Sequence, residues 1–351
     1  SQNNCVPPRT GFLCTECPSG TVSVSVGRCE TCSKNVYMLL ILIAFAIMPA
    51  VLFFLHLTVN EPMFANATAD LVIASILGMF VTSVQILGTC SSLGVPWSRS
   101  DETEFMVSFA APFGADFAIG GSNIQCLLGS QTKVKTHAVQ VMGQLVVALC
   151  LLLCHYLSKI LAYVASAFRE RFPSFKVSLC GLDGIALTEW HVDQTWNTLG
   201  NVYNIIFINL WSQCLKPFVL YYHPNGEMSV VAYPAILAGS TDHWMQLTAS
   251  VCMVLFTLVP FVARNLWATH VAGSRDVKTR MAAGDRVLVQ FRFLFFRFRP
   301  AAWWWGNVLL LRQSLLALVP SISSQAHLQI ILIVSLLMCY LALLAWEKPW
   351  K

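Results

Sequence analysis

Charge is scarce in this chain. Only 11% of its 351 residues are Asp, Glu, Lys or Arg and 56% are hydrophobic, whereas a soluble domain carries roughly a quarter charged residues. With a mean hydropathy of +0.63, this composition excludes an ordinary water-soluble globule and makes lipid the expected solvent. Also missing are a glycine-rich phosphate loop, a nucleophile elbow, an HExxH helix and paired carboxylates on a core helix. Neither an enzyme nor a cofactor is therefore expected. No soluble segment combines a basic patch with base-stacking aromatics, so nucleic acid is not an expected partner. The chain opens on Ser1 without a signal peptide; it is expected to be an internal piece of a longer protein whose upstream part holds the export signal.

What is present is organised around residues 36–59, VYMLLILIAFAIMPAVLFFLHLTV, a run with no formal charge. As a helix rising about 1.5 Å per residue, it crosses a hydrocarbon core of about 30 Å. The run follows five closely spaced cysteines, Cys5, Cys14, Cys17, Cys29 and Cys32. Residues 1–35 hold too few large apolar side chains for a core, so disulfides are expected to stabilise them, as in small exported modules. Two CxxC pairs would also suit zinc, but the adjoining span and the lack of histidine favour disulfides. Five is odd, so one cysteine is expected to pair upstream of Ser1.

Further apolar runs predict spans near 69–88, 137–167, 196–222, 243–267, 303–319 and 328–346. The fold class is thus all-α transmembrane, a seven-helix polytopic bundle over residues 36–351 behind a small extracellular disulfide-rich module over 1–35. Segment 90–136 is polar, cannot lie in lipid and is read as external, with Cys90 paired to Cys126. Segment 223–242 is read as an external loop. With the cysteines outside, twelve Lys and Arg fall on internal segments and six on external ones. The internal twelve are three in 168–195, seven in 268–302, and Lys348 with Lys351. This agrees with the positive-inside rule and places the N-terminus outside and the C-terminus inside, in the plasma membrane. Trp303, Trp304, Trp305, Trp346 and Trp350 are expected in an interfacial belt.

Some polar residues fall within spans. Arg312 lies mid-way along the sixth, beside Gln313, where a guanidinium costs at least about 2.5 kcal/mol and should face the bundle interior or water, either as part of a gate or pathway or as an arginine hydrogen-bonded to neighbouring helices or snorkelling to the interface. Asn197, Asn201 and Asn204 share one face of the fourth span; Asn209 and Gln213 form another i, i+4 pair. Helix-to-helix hydrogen bonding is the plainer account of these amides and a hydrated lining the sharper one. Asn204, Asn209, Gln213, Arg312 and Gln313 are accordingly the pore or pathway candidates. FRFLFFRFRP, residues 291–300, alternates rings with arginines and is expected to lie on an anionic inner leaflet, with Arg292, Arg297 and Arg299 at lipid headgroups. Cys150, Cys154 and His155 lie close on the third span but lack a fourth ligand, and no metal is expected there. Asp242 and His243 read as a capped start of the fifth span.

Two resemblances add to this reading. Cys14, Cys17, Pro18, Gly20, Thr21, Cys29 and Cys32, in the pattern CxxCPxGT…CxxC, resemble the ephrin-receptor-like (EGF/TNFR-type) cysteine-rich repeats of protist surface proteins. VTSVQILGTCSSLGVPW, the stretch 113–117 followed by Cys126, the stretch 234–244, and RFLFFRFRPAAWWWGNVLLLRQSLLAL with Gln329 and EKPW resemble the polytopic region of TRP-like protist membrane proteins. That family often carries an acidic residue and a Lys around the sixth-span arginine, where this chain has Gly306 and Gln313. The resemblance implies a cation channel or channel-like subunit, expected as a homo-oligomer in contact with membrane lipids. A seven-pass receptor with a cytoplasmic partner at 168–195 and 268–302 is the alternative, and a lipid or small-solute transporter the third reading.

Overall fold

The structure, a computed structural model, describes residues 14, 17–18, 21–25, 28–31, 34–60, 83–84, 133–171, 190–273, 285–295, 298–323 and 325–349. All but two residues of the second span, together with Cys5, Cys32, Cys90, Cys126 and Arg297, lie outside them.

Among the described residues the chain is mostly helical. A short hairpin, β1 (Thr21–Ser25) and β2 (Arg28–Thr31), is joined to Cys17 by a disulfide from Cys29; Cys14 is disulfide-bonded as well. Helix α1 (Lys34–Asn60) follows, then α2 (Lys133–Arg171) and α3 (Val192–Leu215). Strands β3 (Leu220–Tyr222), β4 (Met228–Val230) and β5 (Tyr233–Leu237) form one antiparallel sheet. Next come α4 (Thr241–Met253), a π-helical turn (Val254–Leu258) and α5 (Val259–Ala272). Two short helices, α6 (Arg286–Gln290) and α7 (Arg292–Phe295), lead to α8 (Trp305–Ile322) and α9 (Ala326–Glu347).

Three of the described helical stretches are long and apolar enough to cross a membrane: His137–Val164, Thr241–Ala272 and Ala326–Glu347. A shorter apolar stretch, Ala46–His56, lies in α1. The outward faces carry Phe54, Leu149, Leu153, Phe256, Val334 and Met338, all exposed. In water such continuous apolar faces would associate; in hydrocarbon they need no cover.

Helix α3 is the hub, packing against α1, α2, α6, α7 and α8. Phe207 and Leu210 of α3 meet Val141, Met253, Leu258 and Leu310 in one core, while Ile208 meets Leu316, Ala317 and Ile333 in another. At one end of the bundle lie the start of α3, the end of α1 and the segment 285–295; at the other lie the sheet and the starts of α2 and α4.

The structure corrects three expectations and bears out a fourth. The fourth span does not run helically to 222: α3 stops at Leu215, a 3-10 turn (Lys216–Phe218) follows, and Leu220 begins a strand. Pro217 explains the break, since it has no N–H for the next helical bond. The loop 223–242 carries strands β4 and β5 and turns at Asn225 and Gly226, whose φ of +83° suits glycine. The capped start expected at Asp242 and His243 is present, with Ser240 as the cap, its hydroxyl accepting from the His243 N–H at 3.2 Å. Trp305 is fully buried among Phe298, Ala302 and Tyr340, so it belongs to the core and not to an interfacial belt.

Candidate functional site

Helices α3, α4 and α8 share an apolar core, and each carries buried amides. Asn209 and Gln213 on α3, Gln246 on α4 and Gln313 on α8 are all buried. The Oε1 atoms of Gln213 and Gln313 and both side-chain polar atoms of Gln246 meet no hydrogen-bond partner among the described residues. In an apolar medium an unpartnered amide costs about 2–7 kcal/mol, so these groups call for water or a polar solute. Periodicity along α3 exposed the Gln213 pair but gave no hint of Gln246, which lies alone in its helix and shows its place only once α4 packs on α3.

Arg312 sits half-buried on α8, and its guanidinium carbon lies 4.4 Å from the centre of the Tyr340 ring on α9. Its Nε has no hydrogen-bond partner among the described residues. The cation is held by a π face, a partner that a search for mid-span carboxylates misses.

The amides at the start of α3 have a different role. Asn197 Nδ2 donates to Asn60 Oδ1 at 2.8 Å, and its Oδ1 accepts from the Phe293 N–H at 2.9 Å. Thr198 gives its hydroxyl hydrogen to the Gln194 carbonyl at 3.0 Å. Its oxygen receives from Asn60 Nδ2 at 2.7 Å and lies at hydrogen-bonding distance, 2.8 Å, from His56 Nδ1. The His56 ring lies on Trp190 with centroids 3.6 Å apart. His155 meets Thr195 Oγ1 at 2.8 Å. This buried latch fastens the end of α1 and the middle of α2 to α3, and α3 to α7. Asn201 is buried on the same helix, and Asn204 is half-buried; neither belongs to the latch.

The lipid-headgroup candidates fall differently from their even spacing. Arg292 is half-buried and donates to the Asn60 carbonyl at 3.3 Å, placing a cation on the C-terminal end of α1. Burial lowers its pKa from the ordinary value. Arg299 is exposed and donates to the Glu347 carbonyl, close to the end of α9. The apolar side chains around them turn inward: Phe291, Leu294, Phe295 and Phe298 are buried. Two glycines admit them. A Cβ on Gly200 would lie 2.1 Å from the Phe293 ring, and one on Gly306 would lie 2.9 Å from Leu294 Cδ2.

At the sheet end, His137 bonds Ser250 at 2.9 Å and Tyr233 donates to Gln140 Oε1 at 2.8 Å, tying α2 to α4 and β5. His243 accepts from the Gly239 N–H at Nδ1, so Nε2 carries the hydrogen it gives to the Pro217 carbonyl at 3.0 Å. These bonds hold elements together.

No family model, no curated protein and no solved structure matches this chain.

Proposed function

We propose that this is a seven-pass protein of the plasma membrane, with the cysteine module outside and the C-terminus inside, acting as a TRP-like cation channel or channel-like subunit. The observation that carries the reading is the set of buried polar atoms of Gln213, Gln246, Arg312 and Gln313 with open hydrogen-bonding positions. Polar groups in a membrane interior mark ion or solute pathways when they face a cavity or water. Asn209 extends the same face of α3 by one turn. A homo-oligomer would supply the remaining pore walls. The test is current recording after reconstitution of the full chain into planar bilayers. Reproducible cation currents that fall in Gln213→Leu and Gln313→Leu, while both variants fold, support the reading; absence of current from folded wild-type protein overturns it.

A seven-pass receptor is the second reading, and the latch favours it. Helix α1 continues from the cysteine module, and its far end is tied through Asn60 to α3 and to the basic segment at Arg292. Ligand-dependent binding of a cytoplasmic partner at 268–302, without current, would favour this alternative.

A further inference from the structure

A cavity of about 330 Å³ lies between α3, the α4–α5 stretch and the segment 290–293, within the size range of sites for small amphiphilic molecules. Its wall is mostly apolar: Leu145, Leu199, Tyr203, Phe256, Pro260 and Phe261. Three features set it apart from a packing defect.

The first is its wall geometry. Pro260 has no N–H to continue the helical ladder, and the Val259 N–H reaches back five residues to the Val254 carbonyl. The resulting π-helical turn, a feature often found at functional sites, carries Phe256 and Thr257 into the lining. The second is Arg264. It is exposed, its guanidinium carbon lies 4.5 Å from the Trp196 ring centroid and 5.4 Å from that of Phe291, and it makes no ion pair among the described residues. Two rings fix the cation and leave its charge uncompensated. The third is Asn265, fully buried in the wall, with neither side-chain polar atom partnered among the described residues.

We propose that this cavity is a binding site for an anionic phospholipid. The acyl chain occupies the apolar wall, the ester region meets the Asn265 amide, and the phosphate meets Arg264. A phosphate matches the guanidinium fork, and a glycerol ester supplies the acceptor and water-excluding bulk that a buried amide needs. The opening at exposed Phe256 and Arg264 lies on a helical stretch long enough to cross the membrane, so lipid is the occupant with access. The site is separate from the arginines of 291–300 and holds whether or not the chain conducts ions.

The test uses the full chain in phosphatidylcholine vesicles containing a minor fraction of phosphatidylglycerol with a photoreactive acyl chain. After irradiation, labelled peptides are identified by mass spectrometry. Labelling is expected on peptides covering 196–203 and 256–265, competed by unlabelled phosphatidylglycerol and not by further phosphatidylcholine. Arg264→Gln, a surface change, is expected to lower it roughly tenfold, as loss of a charge-assisted contact should. Thr257→Trp fills the cavity without altering charge and is expected to abolish labelling of these peptides. Labelling spread evenly over the exposed helix faces, equal competition by phosphatidylcholine, indifference to both variants in folded protein, or cross-linking of these peptides to a second copy would each overturn the proposal.

Discussion

The guanidinium of Arg312 on α8 lies over the ring of Tyr340 on α9, 4.4 Å from its centre. A cation–π contact is worth about 0.5–2 kcal/mol, less than the cost of at least about 2.5 kcal/mol for placing an arginine at mid-membrane. On the seven-pass reading proposed above, stability alone does not account for the residue. Tyr340→Phe is expected to keep near wild-type thermal stability because the ring is retained. Tyr340→Leu is expected to lose about 1–2 kcal/mol, and pairing it with Arg312→Met should recover most of the loss. Unfolding in detergent, followed by intrinsic fluorescence, checks this; equal losses in the Phe and Leu variants would remove the ring from the account.

The bond from Asn197 to Asn60 joins two helices far apart in the sequence. Asn60→Ala and Asn197→Ala are each expected to destabilise by about 1–3 kcal/mol, because each strands buried partners. Together they should cost less than their sum, with a coupling of about 0.5–3 kcal/mol in a double-mutant cycle. Additive losses would show that the two amides do not act as one latch.

Gly200 has no room for a Cβ against Phe293. Gly200→Ala should lower stability by about 1–3 kcal/mol, the usual cost of overpacking. Phe293→Ala in the same chain should relieve the clash. Persistence of the whole defect in the double variant would mean that the close approach of these two segments is not what the glycine serves.

Orientation is tested by two exposed positions at opposite ends of the bundle, Asn225 and Arg286. Asn225→Cys is expected to react with a membrane-impermeant maleimide on intact cells above the unsubstituted background. Arg286→Cys is expected to react only after permeabilisation. The reverse pattern would invert the topology and withdraw the assignment of the basic segments to the cytoplasm.

The hydrophobic runs announced α1, α2, the α4–α5 stretch, α8 and α9 nearly to their ends, because a long apolar helix is specified by its own composition. The sheet was harder to read. Its strands are only three to five residues long, and the signal that was there, Pro224-Asn225-Gly226 between short apolar runs, is a turn signature rather than a strand pattern. The aromatic–arginine segment misled for a physical reason. Alternation describes an interfacial strip equally well as a wedge, and the notches at Gly200, facing Phe293, and Gly306, facing Leu294, show apolar side chains of this segment packed inward.

By itself the sequence determined the solvent, the helical class and the presence of polar groups where hydrocarbon penalises them, since these follow from side-chain transfer energies that need no partner. The tertiary structure decided which polar groups are satisfied. It spent Asn197 and Arg292 on holding helices together, gave Arg312 an aromatic face, and left Gln213, Gln246, Gln313 and Asn265 with open hydrogen-bonding positions. A hydrogen bond or a π contact joins residues distant along the chain, so its existence depends on how helices pack and is not written in the spacing of any one of them.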